Sequence, residues 1–133
     1  AELVACAGFM RIMTGNFIAK WDGRMINIHP SLLPLFKGVH THERALQAGV
    51  RVHGCSVHFV SAELDAGAIV AQGVVRVMPG DDADTLAARV LPVEHRLYPA
   101  VLNALAEDRI RLENGRTVYS DADAATLSVL AGG

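Results

Sequence analysis

Residues 26–34 read Ile-Asn-Ile-His-Pro-Ser-Leu-Leu-Pro, an alternating strand that proline stops, and no other run constrains the fold as tightly. On an extended strand residues two apart share a face, so Ile26 and Ile28 can be buried on one side while Asn27 and His29 point together to the other. Pro30 cannot donate to a sheet ladder, and Pro34 presses Leu33 toward extended geometry. A stiff, non-helical turn is therefore predicted directly after His29. It aims an amide and an imidazole at one point and holds the imidazole still.

Around this run strand patterns alternate with helical ones. Residues 3–7 and 24–29 read as strands, as do 52–60 and 68–77, the last rich in Val and Ile. Thr14 is placed to cap a short helix at 16–21, Thr41 to cap one at 41–48 that Gly49 stops, and Asp84 to cap a long helix reaching about 107. In that long helix Leu86, Val90, Val93, Leu97, Val101 and Leu105 recur at helical spacing, while Pro92 and Pro99 are expected to bend or interrupt it. Asn114-Gly115 predicts a small β-hairpin appendage at 109–119, and the Ala-rich tail 121–133 is expected to be loosely held. The alternation predicts an α/β layered fold, a mostly parallel sheet with helices on both faces, in one domain spanning residues 1–133.

Composition narrows the function. The 133 residues are 51% apolar and 20% charged, enough for one core. The 12 basic and 14 acidic residues are dispersed, with no basic block to track a phosphate backbone, so no nucleic acid partner is expected. No apolar run is long enough for a bilayer and no signal-type segment opens the chain, so no membrane is expected. Cys6 and Cys55 sit in apolar strand-like runs and read as buried hydrophobes of a reducing, cytoplasmic compartment. The chain opens directly in an apolar strand with no Met before it, which reads as a fragment whose sheet is incomplete at the N-terminus. Residues 3–7 would then be a bare sheet edge that needs a missing N-terminal segment or a second copy of the chain, a homodimer, to cover it.

The polar residues suggest acyl transfer. Histidine is the side chain suited to carry protons near neutral pH, so His29 is the expected proton carrier, and Asp65, in the loop 61–67, is the carboxylate expected to reach it, fix its tautomer and favour its charged form. Asn27 offers an amide to a carbonyl oxygen that gathers charge. Arg11 is the lone charge in the loop 8–13, at a strand's carboxyl end where α/β sheets bind ligands. Gly67 can take a backbone conformation that other residues avoid, which would let its loop close over a ligand. No serine sits in a nucleophile elbow and Cys55 lies mid-strand, so direct attack of an amine on a carbonyl carbon is expected, without a covalent enzyme intermediate. His40, His42, His53 and His58 match no metal-ligand spacing, and no metal is expected. His58 reads as facing the site crevice or as a hydrogen-bonded core residue.

Five segments then resemble a known family. They are residues 7–12 (Ala-Gly-Phe-Met-Arg-Ile), 27–34, 38–42 (Gly-Val-His-Thr-His), 53–60 (His-Gly-Cys-Ser-Val-His-Phe-Val) and 63–67 (Glu-Leu-Asp-Ala-Gly). In this order, across Glu2 to about Tyr119, they resemble phosphoribosylglycinamide formyltransferase of the folate-dependent purine pathway. The resemblance implies formyl transfer from 10-formyltetrahydrofolate, a cosubstrate, to the amine of glycinamide ribonucleotide, with Asn27, His29 and Asp65 catalytic and no metal. It implies folate contacts from Met10, Arg11, Ile12 and Met13, from Asn27, and from Ser61, Ala62, Glu63, Leu64 and Asp65. It places Leu91, Pro92, Val93 and Glu94 near the ribonucleotide.

Two relatives share the Asn-x-His and Asp core. Formyltetrahydrofolate deformylase usually reads His-Ser-Phe-Leu-Pro where this chain has Pro-Ser-Leu-Leu-Pro, and methionyl-tRNA formyltransferase typically has Ala-Ser-Leu-Leu-Pro and an added RNA-binding domain. The family's N-terminal part, with its Gly-rich phosphate loop, is not in this sequence, so the chain alone is expected to have little transferase activity. A deformylase-type hydrolase and a non-catalytic folate-binding module are the alternatives.

Overall fold

The computed structural model describes residues 4–7 through their backbone alone, together with residues 24–61 and 66–132. In chain order the elements are β1 (Val4–Ala7), β2 (Met25–His29), α1 (Thr41–Ala48), β3 (Val52–Phe59), β4 (Ile69–Arg76), α2 (Ala83–Ala106), β5 (Ile110–Glu113), β6 (Arg116–Tyr119), α3 (Ala122–Thr126) and β7 (Val129–Ala131). The loop 8–13 and the helix expected at 16–21 lie outside the described residues, as do Ala62, Glu63, Leu64 and Asp65.

The layered α/β class is the one expected. Five strands form one sheet in the order β1-β2-β3-β4-β7. Its pairings are mixed where a mostly parallel sheet was expected: β1–β2 and β4–β7 run parallel, while β2–β3 and β3–β4 run antiparallel. The physical reason is plainest at β3–β4, whose short connection can join antiparallel neighbours but is too short for the crossover that parallel neighbours need.

Helix α2 lies against β3 and β4 and touches α1. Its Leu86, Val90, Val93, Leu97 and Val101 are buried and join Ile26, Ile28, Val57 and Phe59 in one core cluster. The helix runs unbroken through Pro92 and Pro99. Each proline forfeits one backbone hydrogen bond, and the continuous apolar stripe packed on the sheet compensates. Its N-cap is Asp82 and not Asp84: the Asp82 carboxylate accepts from the backbone N–H of Thr85 at 2.8 Å. At α1 the cap position falls to His40, in the left-handed region, and the hydroxyl of Thr41 is spent elsewhere.

Asn114 and Gly115 both have positive φ, 52° and 75°, the geometry of a two-residue hairpin turn between β5 and β6. The hydroxyls of Thr117 and Tyr119 donate to the carbonyls of Ile69 and Val70, docking this hairpin on the start of β4. The tail is not loose. Asp121 caps α3 by accepting from Ala124 N at 2.7 Å, and β7 pairs in parallel with β4 through Gln72, Gly73 and Val74. An Ala-rich stretch is held here because β4 offers an unpaired edge.

Gly67 does not use the left-handed region that glycine opens. It is needed because a Cβ there would meet the Phe59 carbonyl oxygen at 1.7 Å, so the backbones at the two ends of this connection are in contact. Gly54 is similar: a Cβ would stand 1.8 Å from the Gly73 carbonyl oxygen and 3.2 Å from Leu32 Cδ2. Backbone cannot yield as a flexible side chain can. Gly54→Ala is therefore expected to lower the free energy of unfolding by about 3 kcal/mol, read from urea denaturation; a midpoint equal to that of the parent chain contradicts this packing.

Candidate active site

The site begins with the register of two strands. Antiparallel pairing sets Asn27 opposite His58 and His29 opposite Ser56, and β4 sets Gln72 opposite Ser56. Residues directly opposite share a face, so Asn27, His29, Ser56, His58 and Gln72 form one polar patch. Ile26 and Ile28, opposite Phe59 and Val57, face the other way into the core. The division expected from the Ile-Asn-Ile-His alternation is present.

What pins the turn after His29 is a set of hydroxyl groups. Ser56, wholly buried, donates from Oγ to the Ser31 carbonyl at 2.7 Å and accepts from Leu33 N at 3.0 Å and Gln72 Nε2 at 3.0 Å. Gln72 Nε2 also reaches the Leu33 carbonyl at 2.9 Å, and Ser31 Oγ donates to the Leu35 carbonyl at 2.7 Å. Thr41 donates to the Pro30 carbonyl, tying α1 to the same turn. The Leu33–Pro34 peptide is cis. Ser56 and Gln72 were not among the residues picked from the sequence. A signal for Ser56 existed, since Ser56 and His58 alternate with Val57 and Phe59 as Asn27 and His29 do with Ile26 and Ile28.

His29 is buried, 3% exposed, and its Nε2 lies 2.9 Å from the Phe36 carbonyl oxygen. Asn27 is also buried, and its Oδ1 has no hydrogen-bond partner among the described residues. An amide oxygen left so is an acceptor awaiting a donor. His58 is buried on the same face, with Nδ1 3.0 Å from the Phe59 carbonyl oxygen, as the hydrogen-bonded core residue that was one of its two expected readings. His53 points to the helix side, where its Nε2 meets His42 Nδ1 at 3.1 Å. Burial lowers the pKa of both, and His53 falls to about 4 through burial, then the neighbouring His42, then His29.

Asp65, the expected acid partner of His29, lies outside the described residues, as do Met10, Arg11, Ile12 and Met13 and three more loop positions, Ala62, Glu63 and Leu64. Ser61 is half-buried, two residues beyond the end of β3. Of the positions expected near the ribonucleotide, Leu91 and Glu94 line two open clefts beside α2, of about 470 and 340 Å³. Both clefts include Ile28, and the smaller also includes Pro30 and His42, at the carboxyl end of β2. Pro92 is exposed. Val93 is different: 2% exposed, it packs on Gly73 and Gly132, so its side chain serves the core. Burial raises the Glu94 carboxyl above its ordinary pKa. The Cys55 thiol is pushed up to about 12, chiefly by burial and then by Glu94, which keeps it protonated and unsuited to nucleophilic attack.

Among the described residues no three His, Cys, Asp or Glu side chains gather as metal ligands, and no helix is long and apolar enough to cross a membrane. The described part of the site thus holds a neutral amide and an imidazole, buried side by side, with donor and acceptor capacity and no nucleophile. It suits stabilisation of charge on a carbonyl group and movement of a proton between two ligands.

Comparison with known proteins gives consistent matches. The model of the family described as formyl transferase matches residues 1–102. The chain is 50% identical over 123 residues to the trifunctional purine biosynthetic protein adenosine-3 of Bos taurus, covering 92% of this chain and 12% of that protein. It is 47% identical over 111 residues to phosphoribosylglycinamide formyltransferase of Escherichia coli K12, covering 84% of this chain and 52% of that one. The crystal structure of phosphoribosylglycinamide formyltransferase from Anaplasma phagocytophilum superposes with a TM-score of 0.92 at 42% identity, over 99% of this chain and 64% of that one. The chain therefore spans about half to two thirds of these single-function relatives, and a small part of the trifunctional one.

Two measurements test the described geometry. Ser56→Ala removes one donor and strands the Leu33 N–H, and urea denaturation should show a loss of about 1–3 kcal/mol; no loss contradicts the assigned bonds. His53 binds a proton with a pKa of about 4 when folded and 6.5 when unfolded. Between those values the unfolded chain holds more protons, so stability falls as the pH drops from about 6.5 toward 4. Urea midpoints across that interval should decline less steeply in His53→Phe than in the parent chain.

Proposed function

The chain belongs to the formyl transferase family, and from that premise we propose that it transfers a formyl group from 10-formyltetrahydrofolate to the amine of glycinamide ribonucleotide in purine biosynthesis. One observation carries the reading: Asn27 and His29 stand together on a buried face at the carboxyl end of β2, behind a turn fixed by Ser56. The identity to enzymes bearing that name supports the choice of substrates.

In this reading the substrate amine nitrogen bonds to the formyl carbon and the carbonyl oxygen takes up negative charge. Asn27 donates from Nδ2 to that oxygen, and its open Oδ1 accepts an N–H of the attacking amine. His29 shares the oxyanion and carries a proton from the amine to the departing folate nitrogen as the old C–N bond breaks. Asp65 is assigned to bias the imidazole toward its charged form. The folate side is assigned to Met10, Arg11, Ile12 and Met13 and to residues 61–65. The ribonucleotide side goes to Leu91, Pro92 and Glu94, with Val93 acting through packing. The cytoplasm is the proposed compartment, in keeping with the buried free thiol of Cys55. The outer edge of β1 is where a further segment or a second copy would pair.

The test is an assay of the polypeptide as the cell produces it, with both substrates and the formylated ribonucleotide followed by mass. Product should form, and His29→Asn should cut turnover on the order of 10²-fold or more while folate binding persists. Unchanged turnover contradicts the role of His29. Release of formate without an amine acceptor reassigns the chain to hydrolysis, and folate binding without either reaction reassigns it to a binding module.

A further inference from the structure

We propose that Gln72 is a positioning residue for His29: its side-chain amide clamps the turn 31–36 in the form that holds both the backbone and the ring of His29. Gln72 Nε2 stands 2.9 Å from the Leu33 carbonyl oxygen and 3.0 Å from Ser56 Oγ. A carbonyl oxygen has no hydrogen to give, so the amide nitrogen and not the amide oxygen must face Leu33, and its two hydrogens serve the two contacts. The Ser56 hydroxyl has one hydrogen and spends it on the Ser31 carbonyl, so at Ser56 too Gln72 is the donor.

From the turn the hold passes to His29 twice. Ser31 N donates to the His29 carbonyl at 2.9 Å, which fixes the backbone of the proton carrier. Ser31 Oγ donates to the Leu35 carbonyl at 2.7 Å and Leu35 N to the Leu32 carbonyl at 3.1 Å, closing the turn. The carbonyl of the next residue, Phe36, then lies 2.9 Å from His29 Nε2 and meets the ring. Gln72 can grip the turn because its own backbone is held on both sides. It pairs with Ser56 of β3 and with Val129 of β7, and its N–H donates to the Ser128 carbonyl at 2.9 Å. Two strand spacings, about 10 Å, separate β4 from β2, so Gln72 acts on His29 through the turn and not by touching the imidazole.

The inference rests on the formyl-transfer reading only for its kinetic arm. The chain has two glutamines, Gln72 and Gln47, the latter exposed on α1. In 1H–15N spectra the side-chain amide protons of Gln72 should exchange with water far more slowly than those of Gln47; equal rates overturn the clamp whatever the enzyme does. Gln72→Met then keeps the length of the side chain and removes both donors. In the folded variant the ring resonance of His29, assigned by its loss in His29→Asn, should move while that of the exposed His40 stays. Turnover should follow, with kcat lower on the order of 10-fold or more and KM little changed. An unmoved His29 resonance overturns the proposal. So does a parent-like kcat, and a raised KM beside it would mark Gln72 as a substrate contact instead. If Gln72→Met does not fold, Gln72→Asn, which stays polar and stops one methylene short, carries the same test. A moved His29 resonance in a protein that transfers no formyl group leaves this inference standing and removes the functional reading.

Discussion

The hydroxyl of Ser56 is the interaction on which the rest of the site depends. It lies in the middle of β3, wholly buried, with its donor and its acceptor capacity all engaged by the turn from Ser31 to Leu33 and by Gln72. Burying a hydroxyl is unfavourable unless every bond is made, and making them all converts that cost into a demand for one geometry. The turn has no regular secondary structure of its own. It is ordered because a strand from another part of the chain supplies the partners its backbone lacks.

Everything beyond this follows from how the strand β2 divides its two faces. The side carrying Ile26 and Ile28 is sealed by α2 and supplies the apolar burial that holds the domain together. The opposite side collects Asn27, His29, Ser56, His58 and Gln72, each buried or half-buried and each needing a polar partner. The loop after β2 wraps the strand end and links the two sides: Leu33 bonds to the polar patch, while the Phe36 ring reaches His53 near the helices. Two clefts lined by Leu91 and Glu94 open beside Ile28 on the helix side, and the smaller reaches Pro30 at the strand's end.

Features governed by neighbours in the chain were legible before the fold was known. Alternation in residues 26–29, the Asn114-Gly115 turn and the apolar stripe of α2 each express a local geometric rule, and each stands where it was expected. Features governed by distant pairing were not. Strand β7 is three residues long, and nothing in Val129–Ala131 announces that β4 has an edge to offer. Ser56 gains its meaning from a register 25 residues away, and Gly67 from contact with Phe59 across a loop. The cap of α2 was misplaced by two positions because Asp82 and Asp84 both suit the role, and only the hydrogen bond to Thr85 separates them. Asp65 and Arg11, read from their positions in loops, and Met10, Ile12 and Met13, given by the resemblance, lie outside the described structure.

The most direct measurement of the central claim is a crystal structure with glycinamide ribonucleotide and a folate analogue that cannot give up its one-carbon group. The account predicts that the analogue's carbonyl oxygen lies within hydrogen-bonding distance of both Asn27 Nδ2 and the His29 ring, with the turn 30–36 unmoved. Ligands seated wholly among Leu91, Glu94 and Tyr98 on the helix side, leaving the amide and the imidazole untouched, would contradict it.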